Sequence, residues 1–95
     1  MSLFVIFAEN AHDAQEKRAN ARPAHIARLQ ALHNQNRLVL AGPHHNDDGN
    51  VTGSLIVADF PTIADAHAWV KNDPYRSSGV YAHITIRPFT QVLPA

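Results

Sequence analysis

The sequence predicts an α+β fold, with an antiparallel sheet carrying two helices on one face. Three observations predict it. Four short runs are β-branched and aromatic, two segments have helical spacing of apolar residues, and they alternate as β-α-β-β-α-β with no linker or low-complexity stretch between them. Ninety-five residues suit one domain, since a core of this size buries about 60% of the unfolded chain's surface.

Leu3 to Ala8 (LFVIFA) reads as the first strand. Asp13 and Glu16 have capping-box spacing and start a helical turn. Pro23 is expected to interrupt that helix and to sit in the first turn of a second one, where its missing N–H costs nothing. Ile26, Leu29 and Leu32 then recur at helical spacing through about Asn36. Leu38 to Ala41 forms the second strand, expected to stop at Gly42-Pro43. His44 to Asn50 (HHNDDGN) reads as a polar turn, and Ser54 to Ala58 as the third strand. Thr62 has the character of an N-cap, with Ile63, Ala66 and Val70 as the buried stripe of the helix behind it. Asp73 precedes Pro74, which ends that helix. Val80 to Arg87 alternates, placing Val80, Ala82, Ile84 and Ile86 on one face. The whole is the ferredoxin-like βαββαβ pattern.

The sheet carries a second message. With helices on one side only, the other side should be polar. In the first strand Leu3, Val5 and Phe7 oppose Phe4, Ile6 and Ala8, and in the third Leu55 and Val57 oppose Ile56, Ala58 and Phe60. Both faces are apolar, so the bare one is expected to pack on a second copy as a homodimer. A shifted register, or the C-terminal tail folded over that face, is the alternative.

Composition narrows the function classes. Eight basic and eight acidic residues cancel, which disfavours a general polyanion binder. Five bases and no acid lie between Lys17 and Arg37, but they point round the helix rather than along one stripe, so no nucleic-acid partner is expected. No cysteine is present, which removes disulfides, thiol nucleophiles and thiolate metal sites. No signal peptide or membrane segment is visible, and a cytoplasmic location follows as the default expectation.

Seven histidines are the unusual count. His25, two residues after Pro23, is expected in a helix first turn, where the dipole favours a neutral ring able to accept a proton. Asp73 lies at the C-terminal end of the other helix and needs an imidazole N–H or an arginine to compensate the dipole there. A histidine held by an aspartate makes a general base, though spacing alone does not decide whether these two ends meet. The bland alternative is an exposed helix-start histidine and a turn aspartate. Arg22 beside them could bind a carboxylate or phenolate, Tyr75 could line a pocket through its hydroxyl, and Ser54 could reach a ligand. His44-His45 with Asp47-Asp48 has no zinc-ligand spacing, because adjacent histidines on a strand point to opposite sides, so no metal is expected. His33, His67 and His83 read as structural or exposed, and Phe60, Trp69, Tyr75 and Tyr81 as core candidates.

The segments LFVIFA, RPAHIARLQAL, RLVLAGP, TGSLIVADF, AWVKNDPY and GVYAHITIRPF, in this order, resemble the YciI-like family of small bacterial proteins along nearly the whole chain. The resemblance implies a ferredoxin-like subunit that dimerises through its sheet as a dimeric α/β barrel. It also implies a site centred on His25 (R-P-x-H) and Asp73 (D-P-Y), with Arg22, Ser54 and Tyr75 in neighbouring matched motifs. The activity it implies is elimination or dehydrochlorination on hydroxylated rings, and related dimeric barrels handle small cyclic products of aromatic breakdown. The His44-His45 pair departs from the family's pattern. Together these lines lead to a cofactor-independent lyase or isomerase acting on a small anionic or phenolic ring, with His25 and Asp73 as base. The alternative is a non-catalytic dimeric small-molecule-binding or stress-associated module.

Overall fold

A computed structural model describes residues 2–95. The elements are β1 (Leu3–Asn10), α1 (Gln15–Asn34), β2 (Leu38–His45), β3 (Val51–Asp59), α2 (Ile63–Lys71), a short α3 (Pro74–Ser77) and β4 (Tyr81–Phe89). Neighbouring strands all run antiparallel in the order β2-β3-β1-β4. This is the expected ferredoxin-like sheet, with α3 added at the end of α2.

The largest departure from expectation is α1. It is one continuous helix with Pro23 inside it, not two helices divided there. Pro23 lies on an exposed stretch, so the carbonyl that loses its helical N–H partner is open to water, and packing on both sides of the proline keeps the helix in one piece. The expected capping box does not form. Asp13 takes a left-handed φ of 55° and Ala14 is an N-cap without a side-chain bond. The stop is clearer. Asn36 adopts φ 58° while its N–H reaches the His33 carbonyl and that of Arg37 reaches Leu32, a Schellman closure.

Gly42-Pro43 does not stop β2, which runs on through His45. A proline is tolerated there because β2 is an edge strand. The polar turn is correspondingly shorter. The Asn46 side-chain oxygen accepts from the N–H groups of Asp48 and Asn50, and Gly49 takes φ 83°. In α2 the Thr62 cap forms as expected, accepting from the Asp65 N–H at 3.2 Å. Ala66 and Val70 are buried, but Ile63 is exposed, so the stripe is narrower than expected.

The core lies between the helices and one sheet face, where Leu29, Leu32, Ala66 and Val70 meet Phe4, Ile6, Ile56, Ala58 and Ile86. On β4 this leaves Ala82 exposed. The opposite face carries Leu3, Val5, Phe7, Leu55 and Val57 in the pairing Leu3↔Asp59, Val5↔Val57 and Phe7↔Leu55. The tail from Thr90 to Ala95 lies beside Leu3 and Phe89 at one corner. It leaves Phe7 and Leu40 exposed at 38% and 48%.

Candidate active site

The α1 face that turns toward the sheet carries Arg18, Arg22, His25 and Leu29, spaced as a helix spaces neighbours on one side. With Ala41 to Pro43 of β2, Ser54 and Ile56 of β3 and Tyr75 of α3, these residues line a cavity of about 450 Å³. The lower end of the usual range for small-molecule pockets is near this size. Its floor is apolar, and two arginines but no carboxylate line it.

His25 lies in the middle of α1, not in a first turn, so the dipole argument for its neutral ring does not apply. Its environment instead fixes which ring nitrogen bonds the aspartate. The Nδ1 lies 2.8 Å from Asp73 Oδ2, and both side chains are almost wholly buried. A carboxylate only accepts, so Nδ1–H donates, and in the neutral ring Nε2 is the nitrogen with the lone pair. Asp73 does not close α2, as its place before Pro74 suggests. It occupies the junction beyond, as N-cap of α3, and its carboxylate accepts from the Tyr75 N–H at 3.0 Å. Arg28 Nη1 donates to Oδ1 at 3.0 Å and to the Trp69 carbonyl at 2.9 Å, with its guanidinium 4.3 Å over the Trp69 ring. Three donors therefore hold a buried carboxylate that would be costly alone.

Tyr75 stacks on His25 with ring centroids 3.8 Å apart. Burial pushes its phenol above the ordinary value, while the Arg18 and Arg22 charges oppose the rise and Asp73 adds to it. Ser54 is buried and accepts from Arg18 Nη2 at 3.0 Å. Arg22 lines the cavity from an exposed position. Tyr81 packs edge-on against Tyr75, with centroids 5.6 Å apart. Burial raises its phenol to about 12, with Ser54 and Arg18 working against the rise and Asp73 and Tyr75 with it. Although Ser54 lies close, no partner among the described residues meets hydrogen-bond geometry at the Tyr81 hydroxyl.

All five residues singled out from the sequence thus come together beside the middle of α1. Arg18, Arg28 and Tyr81 join them and are not singled out by sequence reasoning. The signal that could have found the first is the 18, 22, 25, 29 spacing, which is hidden when Pro23 is read as dividing the helix. His44 lies elsewhere. Its ring bonds Thr52 Oγ1 and the Ala8 carbonyl, each at 2.8 Å, and stacks on Phe7. Among the described residues no group of three or more His, Asp or Glu side chains is placed to hold a metal ion.

A ferredoxin-like chain with a buried His–Asp pair at the wall of a small cavity defines the class. The chain belongs to the YCII-related family, whose domain model matches residues 2–90. It is 46% identical to Protein YciI of Escherichia coli and of Shigella flexneri, over 95% of this chain and 98% of theirs. It is 41% identical to an uncharacterized protein of Haemophilus influenzae, over 94% of this chain and 97% of that one. In structure it resembles the 5-chloro-2-hydroxyhydroquinone dehydrochlorinase TftG of Burkholderia phenoliruptrix, solved in complex with 2,5-dihydroxybenzoquinone. The TM-score is 0.80 and the identity 25%, covering 93% of both chains. Protein Atu4242 of Agrobacterium tumefaciens, with TM-score 0.60 and 8% identity over 100% of this chain and 97% of that one, shares the fold. No helix among the described residues is long and apolar enough to cross a membrane.

Proposed function

We propose that this protein is a cofactor-independent lyase acting by elimination on a small hydroxylated or anionic ring, with His25 as general base. One observation carries the reading: His25 bonds Asp73 through Nδ1 at 2.8 Å and lines the cavity, leaving Nε2 free to take a proton. The proton goes to Nε2 and the leaving group departs with its bonding pair, so loss of H–X needs no oxidant or reductant. Asp73 orients the ring and stabilises the imidazolium, while Arg28 donates to the carboxylate's other oxygen and holds it in place. Tyr75 packs on the imidazole and Arg22 and Ser54 face the ligand space. The likeness to a dehydrochlorinase supports the reaction class.

The test is chloride release from a chlorinated hydroxyhydroquinone. His25→Ala is expected to lower kcat by about 10²–10⁴-fold. Unchanged turnover in this variant overturns the reading.

A second reading, a non-catalytic binding module, is favoured by the burial of the pair, which ties α1 to the α2–α3 junction. Under it His25→Ala costs about 1–3 kcal/mol of stability, through the unpaired carboxylate, and no ring compound is turned over. Under either reading the subunits pair through the open sheet face, a proposal supported by exposed Phe7 and Leu40.

A further inference from the structure

Arg18 reaches from α1 into the cavity wall and is half-buried. Its Nη1 donates to Asn10 Oδ1 at 3.2 Å, its Nη2 donates to Ser54 Oγ at 3.0 Å, and its guanidinium lies 4.6 Å over the Tyr75 ring. All three partners are neutral. Among the described residues no carboxylate comes within ion-pair distance of it. The nearby Asp73 does not serve, since His25, Arg28 and the Tyr75 N–H already take up its oxygens. Arg28, the other half-buried arginine of this helix, does have its counter-charge in Asp73. A partly desolvated cation with only neutral partners is electrostatically incomplete. Its two bonds and the stacking also fix it in place, which lowers the ordering cost when an anion arrives. Arg22, exposed to water, has neither property and is the weaker anchor.

We propose that Arg18 is the anion anchor of this cavity, and that the ligand carries an oxyanion, as a carboxylate or an ionised ring hydroxyl, that completes its charge. The inference rests on the cavity being a ligand site, as proposed above, but not on His25 acting as base. It makes Arg18 the residue that selects an ionised ring over a neutral one of the same shape.

The experiment is calorimetric titration at neutral pH with 2,5-dihydroxybenzoquinone, whose ring hydroxyls are ionised, with benzoate, and with uncharged hydroquinone. Wild type should bind at least one anion more tightly than hydroquinone, and which anion wins tells phenolate from carboxylate. Arg18→Gln should weaken anion binding at least tenfold, on the order of 1.4 kcal/mol, and leave hydroquinone unchanged. Arg22→Gln should weaken anion binding less than Arg18→Gln does, as suits an exposed charge. Should Arg18→Gln fail to fold, nitrogen-edited spectra of wild type test the same contact, since the Arg18 Nε–H resonance must move on adding the anion. A resonance that stays in place, or failure of both anions to bind at millimolar concentration, overturns the proposal. So does loss of anion binding in Arg22→Gln instead, or equal weakening of neutral and anionic rings in Arg18→Gln. His25→Ala separates the base from the anchor: lost turnover with anion binding retained supports both, and unchanged turnover with the Arg18 preference intact sinks the base alone. Intact chloride release in a protein without the Arg18 preference sinks the anchor alone.

Discussion

Asp73 shows how much one side chain organises here. It caps α3, holds the imidazole of His25 and accepts from Arg28, so α1 is tied at two points to the start of α3 through one carboxylate. His25 and Asp73 are legible in the sequence as residue types beside Pro23 and Pro74. Their contact is not, because it joins positions 48 apart along the chain, and neither periodicity nor capping rules report on such pairs. Tyr81 gives a prediction at the same scale. Its folded-state phenol holds its proton to about pH 12 against an ordinary value of 10. Stability from this group is therefore complete below pH about 10 and falls between pH 10 and 12, by up to about 2–3 kcal/mol. Tyr75, raised as well, adds to the same loss. Tyr81→Phe, which removes an unpartnered hydroxyl, should cost little at pH 7 and flatten the alkaline limb of a denaturation series. An unchanged limb would contradict this account.

Among the elements, helix caps and strand breaks are unevenly legible. Thr62 follows the local rule because its hydroxyl and the Asp65 N–H are neighbours in sequence. Pro23 and Pro43 break the rule because each lies where the loss of an N–H is tolerated, on an exposed helix stretch and on an edge strand. Exposure is a tertiary property that local sequence does not carry. Gly53 of β3 shows the reverse dependence. A Cβ there would run into the Ala8 carbonyl and the His44 ring that lies across it. Gly53→Ala should destabilise by about 1–3 kcal/mol through overpacking, read by urea denaturation. A change under about 0.5 kcal/mol, the size of an ordinary surface substitution, would mean that the strand yields there.

For the whole molecule, the βαββαβ order and the two-sided apolar sheet follow from periodicity alone, because a period of two fixes which residues share a face. The helices cover one face, and the tail reaches only a corner of the other. Pairing of two copies over Phe7, Leu40 and their neighbours predicts a solution mass about twice the 10.5 kDa of the chain. Sedimentation at micromolar concentration checks it. Leu40→Asp should shift the species toward the single chain, and a wild-type protein that sediments as one chain contradicts the pairing.

The central claim is that Asp73 makes a base of His25. Asp73→Asn keeps the shape of the side chain but removes the charge and offers an amide where Nδ1–H needs an acceptor. The most direct measurement is kcat for chloride release from a chlorinated hydroxyhydroquinone by wild type and by this variant, with folding followed by circular dichroism. The account predicts turnover by wild type and a fall of about 10²–10⁴-fold in a folded Asp73→Asn protein. Equal turnover in the folded variant, or none in wild type, would contradict it.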